Sequence, residues 1–135
     1  MADILARWDA GSVPAFVTRM NRNAQRLGMS STRYADASGL SAGSVSTVAD
    51  LLKLAPAAMA QPTLAELVGT ADASIPLNDT IKNPNSLLGR HGVIGIKTGT
   101  TTAAGGCLLF AAVREVDGQS RTIYGAVLGI AGERS

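Results

Sequence analysis

The sequence predicts an α/β chain of the α+β type, with helices packed on an antiparallel sheet. Helical patterns dominate residues 1–70, and three strand-like runs follow between residues 93 and 130. Two of these runs meet at Asp117-Gly118, a strong signal for a two-residue hairpin. The 135 residues suit a single domain, and a hydrophobic content of 46% excludes a disordered chain.

The helical part begins at the first residues, where a helix-like stretch is followed by a clear helix from Ser12 to Leu27. Ser12 is a predicted N-cap, Pro14 suits the first turn, and Gly28 is a stop signal. The apolar side chains recur every three or four residues and form one stripe, which contains Val13, Phe16, Val17, Met20, Ala24 and Leu27.

Residues 29–45 are rich in Ser, Gly, Ala and Asp, which predicts an irregular loop. The next helix is expected to begin at Ser46 or Thr47, because Thr47 and Asp50 have the spacing of a capping box. Pro56 removes one helical hydrogen bond, so this helix should end or kink near it. A short helix is predicted from Pro62 to Val68.

Residues 71–92 predict a connecting segment with at most a short strand, because Pro and Asn residues interrupt any regular period. Residues 93–130 predict a three-stranded antiparallel meander. Its strands are expected at Val93–Thr98, Gly106–Val116 and Thr122–Ile130.

Composition and charge exclude several classes of function. The formal net charge is only +2 and the twelve Lys and Arg residues are scattered, so no nucleic-acid partner is predicted. A single cysteine, Cys107, and a single histidine, His91, argue against an intrachain disulfide and against a metal site, and both residues favour packing or surface roles. We expect no metal and no cofactor. We expect no signal peptide in the first residues, and no apolar run is long enough for a membrane helix.

The strongest candidate for a binding site in the sequence is the stretch Gly95-Ile96-Lys97-Thr98-Gly99-Thr100-Thr101. Lys97 offers a cation, Thr98 a hydroxyl donor, and Gly99 lets a ligand approach the backbone. Such a series suits a cradle for a carboxylate and an oxyanion. The same residues also suit an exposed edge strand that a lysine protects from aggregation, and they alone do not decide between the two.

A resemblance to a known family favours the cradle. Lys97-Thr98-Gly99 resembles the Lys-Thr-Gly box of the penicillin-recognising serine enzymes. Three further stretches, taken in order, are similar to the serine D-Ala-D-Ala carboxypeptidases, the low-molecular-mass penicillin-binding proteins. They are FVTRMNRNAQRLGMSSTRY (16–34), ADASGLSAGSVSTVADLLKLA (35–55) and Asn83-Pro84-Asn85-Ser86-Leu87-Leu88. The resemblance extends from about Asp3 to Ile130.

The resemblance implies a partial β-lactamase/transpeptidase-like fold and a substrate. Lys97 and Thr98 would bind the terminal carboxylate of a peptidoglycan stem peptide ending in D-Ala-D-Ala. Gly99 would admit its backbone, and the Thr100 N–H would face the oxyanion. β-Lactams would occupy the same place. The parent protein would be membrane-associated or secreted and would act outside the cytoplasmic membrane.

The sequence departs from this family in two motifs. The family acylates the serine of a Ser-x-x-Lys motif, but Lys53, Lys82 and Lys97 are preceded three residues earlier by Asp50, Asp79 and Ile94. No Ser-x-Asn motif occurs either. We therefore expect residues 1–135 to form one partial domain that lacks its front part, has no nucleophile and is inactive alone. Three loop or cap serines have no nearby lysine and are poor candidates for the nucleophile: Ser38, Ser44 and Ser46.

Two alternatives remain open from the sequence. The chain would be a non-catalytic relic that binds peptidoglycan peptides or a partner, or one half of a two-chain enzyme whose other chain supplies Ser-x-x-Lys. An in-frame Ser-x-x-Lys in the DNA upstream of Met1 would distinguish these from a fragment. In each case the meander should expose an unpaired edge and apolar surface, so self-association is expected.

Overall fold

A computed structural model describes residues 1–76 and 79–131 of the chain. Four helices precede five strands, in agreement with the predicted order of helices and antiparallel sheet. The elements are α1 (Ala2–Ala10), α2 (Val13–Arg26), α3 (Val48–Met59), α4 (Pro62–Gly69), β1 (Asp72–Ile75), β2 (Asp79–Lys82), β3 (Val93–Thr101), β4 (Gly105–Val116) and β5 (Gln119–Ile130). None of the helices in the described ranges has the length and hydropathy needed to cross a membrane.

The second helix begins and ends where the sequence predicts. The Ser12 hydroxyl accepts a hydrogen bond from the Ala15 N–H at 3.1 Å, so Ser12 caps α2. Pro14 lies in the first turn, where its missing N–H costs nothing, and Leu27 is the C-cap. The short helix α1 precedes it, and the two are separated by Gly11, which adopts a left-handed conformation with φ 83°.

The third helix differs from the expectation in one respect. Thr47 does cap α3, because its hydroxyl accepts from the Asp50 N–H at 3.2 Å. The Asp50 carboxylate does not complete a capping box; it turns to the preceding loop and accepts from Ser31 and Thr32. The helix ends at Met59, three residues beyond Pro56 and near it as expected. Proline within the last turn removes only the bond to the Leu52 carbonyl, and Leu52 is exposed enough for water to replace it.

The prediction of at most one short strand within residues 71–92 was wrong. Strands β1 and β2 pair antiparallel from Asp72↔Lys82 to Ile75↔Asp79 and form a small separate hairpin. The polar, irregular sequence gives no strand signal here, because backbone pairing over four residues needs no alternation of apolar side chains. The Asn83 side chain holds the hairpin to the end of α4 by donating to the carbonyls of Val68 and Thr70 at 3.3 and 3.1 Å.

The main sheet is the predicted meander, with the strand order β3-β4-β5. The first strand runs three residues past the predicted Thr98, and β5 starts three residues before the predicted Thr122. Asp117 and Gly118 both have positive φ angles, 51° and 73°, as a two-residue turn between Val116 and Gln119 requires. The hairpin prediction is confirmed.

The core lies between α3, α4 and one face of the main sheet. It is built from the buried residues Ala55, Ile96, Leu109 and Ala111, with Leu51, Met59, Val68, Tyr124 and Ala126 packed against them. A glycine permits this packing at one point: a Cβ on Gly95 would lie 2.9 Å from Val68 Cγ2. The close contact of α4 with β3 places the end of that helix beside the predicted cradle.

Candidate functional site

A depression of the described surface lies beside β3. It is a cleft of about 540 Å³ between the residues Gly99–Thr101 and the segment of residues 35–46, which we call the cleft loop. The turn from β3 to β4 and the end of β5 complete its lining. Most of the lining surface is apolar, as is typical of ligand sites.

The four predicted binding residues lie together at this place, but they face two depressions. Gly99 and Thr100 line the cleft. Lys97 and Thr98 line a neighbouring groove of about 380 Å³, which we call the clamp groove; its other walls are the end of α4 and the β1–β2 hairpin. Lys97 is exposed, and its ammonium donates to the carbonyl of Thr98 and pairs with no carboxylate of the described residues.

The strand that carries these residues has a free edge. Within the described chain β3 pairs only with β4, through Lys97↔Leu109 and Thr100↔Gly106. Backbone donors and acceptors on the other edge are therefore available to an extended ligand. A Cβ on Gly99 would find no heavy atom within 4 Å, so there is room for a ligand beside this glycine.

The opposite wall of the cleft is held by a single carboxylate. Asp36 accepts from the hydroxyls of Ser38 at 2.7 Å and Ser44 at 2.8 Å, and from the backbone N–H groups of Leu40 and Ser41 at 2.9 and 3.2 Å. The Ser38 hydroxyl and the other donors hold the pKa of the Asp36 carboxyl far below its ordinary value. The ionised carboxylate therefore fixes the shape of the cleft loop.

The base of the cleft loop is tied to two helices. The Asn21 side chain of α2 donates to the Tyr34 carbonyl and accepts from the Tyr34 N–H, each at 2.8 Å. On α3, the buried Asp50 accepts from the Thr32 hydroxyl at 2.7 Å and the Ser31 N–H at 2.8 Å. Thr32, with Ser31 and Lys53, lowers the pKa of Asp50.

Tyr34 is a cleft residue that the sequence did not reveal. Its side chain is half-buried and lines the cleft opposite β3. Burial, assisted by the negative charge of Asp50, raises the pKa of its phenol, so the ring stays neutral at physiological pH. The hydrogen bonds between Asn21 and Tyr34 join residues thirteen positions apart, so the local sequence pattern could not predict them.

The three serines set aside as nucleophiles all have partners within the fold. Ser38 and Ser44 donate to Asp36, and the Ser46 hydroxyl lies 2.8 Å from that of Thr32. Cys107 is half-buried, lies opposite Gly99 in the sheet and lines the cleft, where the sequence indicated only packing or surface. Over residues 1–76 and 79–131, no three His, Cys, Asp or Glu side chains cluster as metal ligands.

A Lys-Thr-Gly run on the free edge of a sheet, beside a loop-walled cleft, is typical of the penicillin-recognising serine enzymes. Comparison with known proteins makes this specific: residues 2–130 match the family model described as D-alanyl-D-alanine carboxypeptidase. The chain belongs to this family of peptidases.

The names of individual relatives describe the same class of peptidase. The chain is 36% identical over 130 residues to a Streptomyces D-alanyl-D-alanine carboxypeptidase, covering 88% of this chain and 43% of that protein. It is 38% identical over 116 residues to an Escherichia coli D-alanyl-D-alanine endopeptidase, covering 81% of this chain and 37% of that protein. The chain thus spans less than half the length of these curated relatives.

Solved structures show the same fold. A penicillin-binding protein from Listeria monocytogenes, crystallised in its cefotaxime-bound form, superposes with a TM-score of 0.82 at 32% identity. The match covers 97% of this chain and 53% of that one. A Mycobacterium tuberculosis D-alanyl-D-alanine carboxypeptidase gives 0.79 at 33% identity, covering 98% of this chain and 51% of that one.

Proposed function

We propose that this chain provides the substrate-binding strand of a serine D-Ala-D-Ala carboxypeptidase that trims peptidoglycan stem peptides outside the cytoplasmic membrane. Lys97 and Thr98 bind the terminal carboxylate. Gly99 gives the peptide access to the backbone, and the Thr100 N–H donates to the oxyanion that forms at the scissile carbonyl. The observation that carries this proposal is the free edge of β3, where Lys97 forms no salt bridge with any described residue and open space lies beside Gly99.

An extended peptide that adds to the free edge of β3 has its amide groups satisfied by the strand. Its terminal carboxylate then lies near the Lys97 ammonium, where a charge-assisted hydrogen bond contributes about 1.5–3 kcal/mol. A β-lactam presents a carboxylate and an amide in a similar arrangement, and we propose that it binds to the same strand.

Binding at Lys97 is tested with N-acetyl-D-Ala-D-Ala, titrated into the isotopically labelled chain and followed by NMR. We expect shifts centred on residues 97–101. In Lys97→Gln the affinity should fall about tenfold or more, which is the loss of one charged hydrogen bond. Arg114→Gln, which removes an exposed charge from β4, is the matched control. Equal losses in both variants would show that only net charge matters and would refute the proposed role of Lys97.

Acyl transfer itself needs a nucleophile and a base, and these 135 residues hold no Ser-x-x-Lys. We propose that the chain alone neither hydrolyses D-Ala-D-Ala nor forms a covalent penicillin adduct. Intact mass spectrometry after incubation with a reporter penicillin tests this. The expected spectrum shows only the unmodified mass; a stoichiometric increase located on a serine would contradict the proposal.

We also propose that the isolated chain self-associates through β5. This strand is the second edge of the main sheet, and Ile123 and Val127 are 46% and 41% exposed on the face turned away from the core. A free edge beside exposed apolar side chains favours pairing between copies. Sedimentation at micromolar concentration should show dimers or larger species, and Val127→Lys should reduce them. A clean monomer would refute self-association.

A further inference from the structure

A peptide bound to the free edge of β3 presents its other edge to the opposite wall of the cleft. In the proposed complex the carboxylate lies at Lys97 and Thr98 and the scissile carbonyl lies at the Thr100 N–H, so the peptide runs antiparallel to β3. Residues of an antiparallel pair alternate between those that turn both amide groups to the neighbouring strand and those that turn both away. The penultimate residue turns its groups to Thr100. The residue before it therefore directs its carbonyl and N–H away from β3, toward the cleft loop.

This outward carbonyl needs a donor from the opposite wall. Most of the surface that lines the cleft is apolar, and a carbonyl that loses water there without gaining a hydrogen bond weakens binding. Three hydroxyls of the cleft loop line the wall, but each already has a partner within the fold. Ser41 accepts from the Gly43 N–H at 3.1 Å, Ser44 donates to Asp36 at 2.8 Å, and the Ser46 hydroxyl lies 2.8 Å from that of Thr32.

The Tyr34 hydroxyl has no such partner. Tyr34 immediately precedes the cleft loop and lines the cleft. Within the described part of the chain its hydrogen bonds are those of its backbone, which accepts from and donates to the Asn21 side chain, each at 2.8 Å. These bonds fix the backbone of Tyr34 and leave the phenol available to a ligand. Burial, assisted by the negative charge of Asp50, raises the pKa of the phenol, so it keeps the proton that a donor needs.

We propose that Tyr34 is a substrate-binding residue, whose hydroxyl donates a hydrogen bond to the carbonyl of the residue that precedes the penultimate D-Ala. The extended peptide is then held at both edges, by the backbone of β3 on one side and by Tyr34 on the other. Because the recognised group is a backbone carbonyl, Tyr34 positions the peptide whatever side chain that residue carries. This inference rests on the proposed function, since Lys97 and Thr100 must first set the register of the peptide on β3.

The test uses two ligands that differ in this carbonyl. In N-acetyl-D-Ala-D-Ala the acetyl carbonyl takes the place of the outward carbonyl, and in the N-thioacetyl analogue sulfur, a weaker acceptor, replaces its oxygen. Both are titrated by NMR into the parent chain and into Tyr34→Phe, which removes only the hydroxyl. The variant should bind the acetyl ligand about 2–10-fold more weakly, as expected for one neutral hydrogen bond, and the thioacetyl ligand with little change.

Two further variants serve as controls. Tyr124→Phe removes the hydroxyl of the other tyrosine, which packs against the core and does not line the cleft. Ser41→Ala removes a hydroxyl from the cleft loop itself. Both variants should bind each ligand as the parent chain does. If Ser41→Ala weakens the acetyl ligand and Tyr34→Phe does not, the donor is Ser41 and the inference is refuted.

A spectroscopic readout distinguishes a hydrogen bond from a structural role of the ring. A hydrogen bond donated to a carbonyl moves its ¹³C resonance to higher frequency. With the acetyl carbonyl labelled, the shift on binding should be larger in the parent chain and in Tyr124→Phe than in Tyr34→Phe. Urea denaturation should give the same stability for Tyr34→Phe and the parent chain. Equal ¹³C shifts in all three chains would overturn the inference.

The outcomes separate the role of Tyr34 from the function on which it rests. If Tyr34→Phe binds both ligands as tightly as the parent chain and Lys97→Gln weakens both, the Tyr34 contact is refuted and the carboxylate clamp stands. Equal losses of the two ligands in Tyr34→Phe also refute the contact, because the acceptor atom then has no part in the effect. If neither ligand binds to the parent chain, or Lys97→Gln has no effect, both the clamp and the Tyr34 contact are refuted.

Discussion

The two walls of the cleft are built by opposite means. On the β3 wall the backbone is held by its ladder with β4, so polar side chains are not needed to hold this strand. Lys97 and Thr98, which line the clamp groove beside the cleft, therefore remain available to a ligand. On the cleft-loop wall the backbone has few such bonds, and polar side chains hold it instead, above all Asp36. Polar side chains on the first wall are therefore candidates for binding, and those on the second hold the structure.

Because its ladder with β4 holds the β3 wall, we expect substitutions in the β3–β4 turn to destabilise the fold. Gly105 has φ +67°, and a Cβ there would lie 2.7 Å from the Ile130 carbonyl oxygen. Gly105→Ala should lower the free energy of unfolding by about 2–4 kcal/mol, because a strained φ adds to a backbone clash. Urea denaturation measures the loss. A change below about 0.5 kcal/mol would mean that the turn adapts and that the ladder does not fix this wall.

Gly99 lies on the same wall and should behave in the opposite way. A Cβ there meets no heavy atom within 4 Å, and its φ is not in the left-handed region. Gly99→Ala should keep or slightly raise the stability, because alanine suits a strand better than glycine. It should weaken N-acetyl-D-Ala-D-Ala binding about tenfold, since the methyl group occupies the space of the ligand. Unchanged affinity would show that the peptide does not approach the strand here.

The sequence predicted the β3 wall far better than the cleft-loop wall. Lys97, Thr98 and Gly99 are consecutive, so their chemistry is visible in the chain itself. The role of Asp36 depends on a loop path that returns Ser44 to it across eight residues, and Tyr34 lies opposite residues more than sixty positions away. The fold shows the same limit: capped helices and the Asp117-Gly118 hairpin were predictable, whereas the β1–β2 hairpin and the contacts of Asp50 were not.

The conformation of the cleft loop should depend on the negative charge of Asp36. Asp36→Asn keeps the size of the side chain but replaces an acceptor oxygen by an amide donor, so the two hydroxyl and two N–H groups lose part of their partner. Amide hydrogen exchange at Leu40 and Ser41 should accelerate about tenfold, and N-acetyl-D-Ala-D-Ala affinity should fall about 2–5-fold.

A matched variant shows whether this effect belongs to the loop. Asp79→Asn removes an exposed carboxylate from the small hairpin, outside the cleft. It should leave exchange in the cleft loop unchanged. Slow exchange at Leu40 in Asp36→Asn would mean that the loop keeps its shape without the carboxylate, and the contrast between the two walls would be lost.

The smallest expected effect is a pH dependence confined to the cleft loop and its base. Asp36, held chiefly by the Ser38 hydroxyl, and Asp50, held chiefly by the Thr32 hydroxyl, both have a pKa in the folded chain below the usual value of about 3.9. Such groups stabilise the fold fully above their unfolded pKa, and this stabilisation is lost as the pH falls toward the folded pKa. The melting temperature should therefore be flat from about pH 7 to 5 and fall below about pH 4.

Asp36→Asn should melt lower at neutral pH and show a shallower fall in acid, because one of the two carboxylates is already absent. Identical acid profiles for the variant and the parent chain would show that Asp36 holds no proton-linked structure, and the loop wall would then owe its shape to the backbone, as the β3 wall does.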